Sequence, residues 1–136
     1  MSSGWSRARF AAVPAFVAAT SLLAGCGGGG GGSGLPAQAQ EGREIARTHG
    51  CSACHGTNGQ GGVGPAFTGL YGSQVTLADG STVVADEAFL TESIRTPGAA
   101  KVEGYDIDMP SNDLDDAQIA AVIAYIRALT GTDGGS

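Results

Sequence analysis

The chain has 136 residues, of which 42% are hydrophobic and 24 are glycine, with three cysteines and a formal net charge of −6 at pH 7. This length allows one small domain and a terminal extension, not several domains. Nucleic acids and anionic lipid headgroups are poor partners for such an acidic chain, because like charges repel. The composition therefore excludes nucleic-acid binding.

The first 25 residues have the organisation of a secretory signal. Arg7 and Arg9 provide a positively charged start, and the apolar stretch from Phe10 to Leu23 follows. This stretch is too short for a membrane span, which needs about 20 residues. We therefore predict that residues 1–25 are a signal peptide, which directs export and is then removed.

The segment Leu23-Ala24-Gly25-Cys26 resembles the cleavage box of bacterial lipoproteins. In those proteins the cysteine is lipidated on sulfur and becomes the new N-terminus. The alternative is ordinary cleavage that leaves a free thiol at Cys26, which is a liability in an oxidising compartment. We expect lipidation at Cys26, and hence a lipid-anchored protein in the periplasm or on the outer face of a bacterial membrane.

A glycine-rich tether follows the predicted lipid site. Residues 27–34 are seven glycines and one serine, and such a coil has an r.m.s. span of about 15 Å. Segment 26–34 would therefore keep the domain near the bilayer and let it turn. All thirteen acidic residues but only five of the seven basic residues lie after Cys26, so the processed chain carries a net charge of −8. The excess of acidic residues either keeps the protein surface well solvated or forms a docking surface for a positively charged partner.

Residues 35–130 are expected to form one mainly helical domain, with a flexible tail at 131–136. The first helix is predicted from Pro36 to about Thr48, and Gly50 ends it.

The five residues that follow, Cys51-Ser52-Ala53-Cys54-His55, match the Cys-x-x-Cys-His attachment signature of c-type haem. Two thiols at this spacing can form thioethers with the two vinyl groups on one edge of the porphyrin. His55 would then lie beneath the ring as the proximal iron ligand. We therefore predict one covalent haem c.

Two other interpretations of the motif require sequence features that this chain lacks. A thioredoxin-like redox pair needs a βαβ context, whereas the flanking sequence here is glycine-rich. A structural zinc site needs four ligands, and beyond the motif the exported chain offers only His49 and Cys26. His49 is too close in sequence to Cys51 to reach the opposite haem face, so we predict a surface or helix-end residue.

A β-hairpin and a second helix are predicted after a glycine-rich loop. Gln74-Val75-Thr76-Leu77 and Thr82-Val83-Val84 are short β-branched runs on either side of Asp79-Gly80, which is a hairpin signal. Two short strands make an insertion in a helical fold and not a sheet domain. Asp86 should cap the second helix, and Pro97-Gly98 should end it.

The sole methionine after the signal peptide is Met109, which precedes Pro110 in an irregular acidic loop. Most methionines only fill core or loop space. Combined with the haem motif, however, Met109 is the predicted distal ligand of the iron. Its thioether stabilises ferrous iron, so His/Met ligation raises the reduction potential. A six-coordinate iron leaves no open position for a substrate, which favours electron transfer over catalysis.

The last helix is predicted to start near Asp115, with Gln118 as its capping-box partner. The apolar residues recur at helical spacing and form one stripe: Ile119, Val122, Ile123, Ile126 and Leu129.

The chain resembles class I c-type cytochromes, and more narrowly the cytochrome c domain of subunit II of haem-copper oxidases. The segments that carry the resemblance are 51–56, 64–65, 69–72, 75–77, 79–80, 85–87, 93–94, 104–105, 109–110 and 119–129. It implies a small all-α cytochrome fold with a short β-hairpin insertion. It also implies a hydrogen bond from His55 to the Pro65 carbonyl, and a helix crossing marked by Gly42 and Tyr125.

The resemblance further implies an electron carrier, not an enzyme, working between a quinol-oxidising complex and a terminal oxidase. Tyr71, Arg95 and Tyr105 are weaker candidates for contacts with the haem propionates. No copper-binding domain or transmembrane hairpin precedes the cytochrome segment, so we expect this module to be made as a separate lipoprotein. The alternatives are a fixed haem subunit of a large respiratory complex and a haem sensor or peroxidase-like enzyme.

Overall fold

The computed structural model describes residues 34–131, so the predicted signal peptide, the lipid site, most of the tether and most of the tail lie outside the described residues. The elements in chain order are α1 (Ala37–Thr48), α2 (Cys51–His55), β1 (Gln74–Thr76), β2 (Thr82–Val84), α3 (Glu87–Arg95) and α4 (Asp116–Ala128). Helices dominate and the strands form one small antiparallel sheet. The predicted all-α fold with a short β-hairpin is confirmed. Within the described range, no helix has both the length and the apolar character needed to cross a membrane.

The first and last helices pack against each other with their backbones in contact. Gly42 is buried in α1, and a Cβ atom there would lie 1.8 Å from the carbonyl oxygen of Ala121 in α4. Ala39 and Ala46 are also buried on α1, so small residues line this face at helical spacing. The close approach depends on the absence of a side chain at Gly42.

The apolar face of α4 is wider than the predicted stripe. Ile119, Val122, Ile123 and Ile126 are buried as predicted. Leu129 is only half-buried, as the residue that caps the C-terminus. The other buried residues of α4 are Ala121 and Tyr125. Helix α4 therefore contacts the rest of the domain on two sides, toward α1 and toward α3.

Two helix starts are fixed by the predicted caps. At α4 the Asp115 side chain accepts from Gln118 N at 2.8 Å, and the Gln118 side chain accepts from Asp115 N at 2.9 Å. At α3 the Asp86 carboxylate accepts from Phe89 N at 2.9 Å. These bonds satisfy N–H groups that have no partner within the helix.

The hairpin also fixes the loop that follows α3. The predicted hairpin is present as an antiparallel pair of strands in which Val75 pairs with Val83. Beyond the strands, Leu77 forms a bridge with Val102, and Glu103 N donates to Thr76 O at 3.0 Å. The insertion therefore ties down the start of the loop that carries Met109.

A tight turn closes the hairpin at Asp79 and Gly80. The Asp79 carboxylate accepts from the hydroxyl and the backbone N–H of Ser81 at 2.6 and 2.9 Å. These bonds hold the pKa of Asp79 below its ordinary value. Gly80 has a φ of 83°, a conformation that favours glycine.

The contact at Gly42 yields a stability prediction. Gly42→Ala would place a methyl group inside the Ala121 backbone, so α1 and α4 would have to separate. We expect a loss of about 3 kcal/mol in the free energy of unfolding, measured by urea titration of the haem-loaded protein. Gly131→Ala is the matched control, because a Cβ atom at Gly131 meets nothing within 4 Å. Equal stability of the two variants would contradict the described crossing.

Candidate functional site

One cavity brings the predicted site residues together. Its volume is about 500 Å³, within the range of about 300–1,000 Å³ that is typical of ligand pockets. Apolar side chains from several elements line it, including Leu70, Phe89, Leu90, Ile94, Val122 and Ile126. The predicted site residues that line it are Cys51, Cys54, His55, Pro65 and Met109.

The Cys-x-x-Cys-His motif is itself a one-turn helix, α2, which sequence reasoning did not predict. Gly50 makes this possible, since its φ of 79° lets the chain turn sharply between α1 and α2. Residues three and four positions apart share a helix face, so Cys51, Cys54 and His55 lie together. Both sulfurs are half-buried and form no disulfide with each other, and burial raises the pKa of the Cys51 thiol.

The His55 imidazole has one nitrogen fixed by the backbone. Its Nδ1 lies 2.7 Å from the carbonyl oxygen of Pro65. A carbonyl can only accept a hydrogen bond, so Nδ1 must carry the proton and donate it. In the neutral ring Nε2 is then left with a free lone pair. This is the tautomer that a metal-binding histidine requires.

Two further contacts enclose the same imidazole. The Phe67 ring stacks on it, with ring centroids 4.5 Å apart and planes 19° from parallel. A Cβ atom on Gly64 would lie 3.1 Å from Cε1 of His55, so a residue with a side chain at Gly64 would press on the ring. The loop after α2 therefore forms a cradle for the imidazole.

Phe67 in turn contacts α4. It meets Tyr125 edge to face, with centroids 6.3 Å apart and planes at 86°. Burial raises the pKa of the Tyr125 phenol, and the positive charge of Arg43 opposes only part of that shift. Sequence reasoning did not identify Phe67 as a neighbour of His55.

Met109 lies on the loop between α3 and α4, half-buried at the cavity that His55 also lines. Lys101 fastens this loop, because its Nζ donates to the Asp106 carbonyl at 3.1 Å and to the Asp108 carboxylate at 2.9 Å. The backbone of Lys101 also accepts from Ala78 N at 2.8 Å. The hairpin and this ion pair together set the position of the Met109 segment.

The three weaker candidates from the resemblance have separate positions. Tyr105 lines the cavity, whereas Tyr71 and Arg95 are not among the lining residues of the described range. The Tyr71 hydroxyl instead accepts from Arg127 at 2.7 Å, and Arg95 pairs with Asp116. A contact of Tyr71, Arg95 or Tyr105 with the haem propionates stays a prediction.

His49 lies at the edge of the cavity with its side chain exposed. Its Nδ1 lies 3.2 Å from the Ile45 carbonyl oxygen in α1. This placement agrees with the predicted helix-end residue.

The residues present fit a covalently attached haem. Two thiols and an imidazole with a free Nε2 line the same apolar cavity as a thioether, which is the donor set that haem c takes in electron carriers. Within residues 34–131, no group of three or more His, Cys, Asp and Glu side chains is arranged to hold a metal ion by itself. The donors present therefore suit an iron porphyrin better than a bare cation.

Comparison with known proteins agrees with this donor set. The family model described as Cytochrome c matches residues 39–130. The chain is also similar to the cytochrome c2 iso-1 of Magnetospirillum molischianum, with 33% identity over 90 residues. That alignment covers 58% of this chain and 89% of the relative.

The buried phenol of Tyr125 predicts a loss of stability at alkaline pH. A pKa raised in the folded state means that the unfolded chain loses this proton first. The protonated phenol therefore makes its full contribution to the free energy of unfolding below the ordinary tyrosine pKa of about 10. This contribution declines as the pH rises beyond that value. Tyr125→Phe should remove that part of the decline, measured by urea unfolding between about pH 8 and about pH 11. Tyr105→Phe controls for the loss of one tyrosine, and an unchanged profile in Tyr125→Phe would contradict the assignment.

Proposed function

This chain belongs to the cytochrome c family, whose members carry single electrons on one covalently attached haem c, and we propose that it does so as a lipid-anchored protein of a respiratory chain. The observation that carries the proposal is the cavity shared by His55 and Met109, with His55 Nδ1 held by Pro65. When bound, the haem supplies an iron centre that cycles between ferric and ferrous states.

Cys51 and Cys54 are the proposed attachment points. Helix α2 places them one turn apart on the wall of the cavity, which suits thioether formation along one porphyrin edge. His55 Nε2 is the proposed proximal ligand, because the Pro65 carbonyl holds the proton on Nδ1.

Met109 is the proposed distal ligand. A neutral thioether favours the ferrous state relative to a second histidine, which raises the reduction potential. With His55 and Met109 both holding the iron, no ligand position would remain for a substrate. The rigid fastening of both ligand segments, by Pro65 on one side and by the hairpin and Lys101 on the other, keeps reorganisation small when an electron arrives.

Export and lipidation are proposed from the terminal segment. Haem c is attached outside the cytoplasm in bacteria, so a signal peptide at residues 1–25 and a haem motif support each other. A lipid on Cys26 and a tether of about 15 Å would keep the domain at the periplasmic or outer face of a bacterial membrane. The resemblance to the domain of oxidase subunit II supports a quinol-oxidising complex as donor and a terminal oxidase as acceptor.

Removing the proposed distal ligand should leave one ligand position of the iron available to carbon monoxide. We expect the ferrous wild-type protein to bind carbon monoxide slowly or not at all, whereas Met109→Ala binds it readily because one axial position is vacant. The affinity for carbon monoxide should rise by at least about 100-fold, measured by the absorption change on adding the gas. Val63→Ala, a change at an exposed residue of the cavity rim, is the control. Ready binding by the wild type would contradict Met109 ligation and favour a sensor or peroxidase-like role.

Lipidation can be tested separately from haem binding. Cells that express the wild-type protein and are fed an alkyne-labelled fatty acid should incorporate the label into this cytochrome. Cys26→Ser should abolish the label, because serine offers no sulfur, and Ser33→Ala in the tether should retain it. A wild-type protein that carries no label and is released by osmotic shock would show ordinary cleavage instead.

The acidic surface predicts the salt dependence of electron transfer. Residues 34–131 carry twelve acidic and five basic residues. Six of the acids lie in segment 103–116, and two of these, Glu103 and Asp108, line the cavity. Oxidation of the ferrous protein by a cationic cobalt complex should slow by about tenfold between about 10 mM and about 500 mM salt. Oxidation by ferricyanide should accelerate over the same range. The same salt dependence for both oxidants would contradict a negative surface at the site of electron exit.

A further inference from the structure

Three aromatic rings form a continuous column from α4 to the site. Tyr125 meets Phe67 edge to face at 6.3 Å, and Phe67 stacks on His55 at 4.5 Å. We name Tyr125, Phe67 and His55 the aromatic column. Tyr125 and Phe67 are only 3% and 7% exposed, so the column lies in the core and connects the helix crossing to the imidazole.

We propose that Phe67 is a positioning residue that sets the plane of the His55 imidazole, and that Tyr125 holds Phe67 in place from α4. The inference rests on the proposed function, in which His55 is the proximal ligand. In this role Phe67 affects the orientation of the imidazole and the reduction potential of the haem, in addition to packing in the core.

The hydrogen bond to Pro65 is not enough to fix the imidazole. It restrains one atom, Nδ1, at 2.7 Å from the carbonyl oxygen, and the ring can still rock about that N–H···O direction. A flat ring stacked within 19° of parallel opposes such rocking, because rotation would drive the imidazole edge into Phe67. The carbonyl therefore sets the tautomer, and Phe67 sets the plane.

Phe67 is itself held by Gly59 and Tyr125. Its backbone N–H donates to Gly59 O at 2.7 Å, and a Cβ atom on Gly59 would lie 2.9 Å from the Phe67 Cβ. Tyr125 contacts the ring from α4. A shift of Phe67 away from His55 would break the bond to Gly59 or the edge contact with Tyr125.

The stack also has an electrostatic consequence. The face of an aromatic ring is negative and attracts positive charge. A ligand imidazole carries more positive charge when the iron is ferric than when it is ferrous. The Phe67 face therefore favours the ferric state, and removing it should raise the reduction potential.

The test compares haem-loaded Phe67→Leu with the wild type by low-temperature EPR of the ferric protein and by redox titration. The g-values of a low-spin haem report the orientation of its axial ligands. We expect altered g-values and a raised potential in Phe67→Leu. Ile119→Val is the control for lost core volume, because Ile119 is buried but does not line the cavity; it should keep the wild-type g-values. Unchanged g-values in Phe67→Leu overturn the proposal, whatever happens to its stability or potential.

A second pair of variants tests the link to α4 and covers the case in which Phe67→Leu fails to mature. Tyr125→Phe keeps the edge contact and should keep the wild-type g-values. Tyr125→Leu removes it and should move the g-values, whereas wild-type values in Tyr125→Leu overturn the role of Tyr125. A different result would contradict the proposed function itself: a wild-type protein that carries no covalent haem or gives no low-spin ferric signal.

Discussion

The hydrogen bond between His55 and the Pro65 carbonyl is the interaction on which the site depends. It decides which imidazole nitrogen keeps its proton and so leaves Nε2 available. The rest of the cradle, with Gly64 against the ring and Phe67 stacked on it, holds the imidazole in place. These contacts serve metal binding only if Nε2 is the nitrogen without a proton. A backbone carbonyl suits this task, since it cannot change its protonation state.

The two walls of the cavity are held by different parts of the fold. The His55 wall is supported from α4 through Phe67 and Tyr125, and α4 is placed by its backbone contact with Gly42 in α1. The Met109 wall is supported by the hairpin through the Leu77–Val102 bridge. An electron carrier gains from this arrangement, because ligands that stay in place in both oxidation states lower the reorganisation energy.

Features encoded locally were predictable from the sequence. The caps at Asp86 and Asp115, the hairpin around Asp79-Gly80 and the apolar face of α4 follow from short-range rules, and all are present. The five-residue helix α2 was missed because one turn is too short to show a helical period. Gly42 came from the resemblance, and its contact atom in Ala121 became visible only in three dimensions.

Interactions between distant residues were not predictable. Nothing in the local sequence brings Phe67 onto His55, or Tyr125 onto Phe67. Likewise, no local rule pairs Tyr71 with Arg127, an interaction in which the guanidinium lies 4.4 Å from the ring centroid. The resemblance made Tyr71 a candidate for contact with the haem propionates, but it did not indicate the pairing with Arg127.

The measurement that tests the central claim most directly is mass spectrometry of the tryptic peptide 48–95 from protein purified out of native membranes. This peptide contains both motif cysteines and is bounded by Arg47 and Arg95. The account predicts one haem bound to it through thioethers at Cys51 and Cys54, retained after extraction with acidified organic solvent. A peptide with two free thiols or a Cys51–Cys54 disulfide, and haem lost to the solvent, would contradict it.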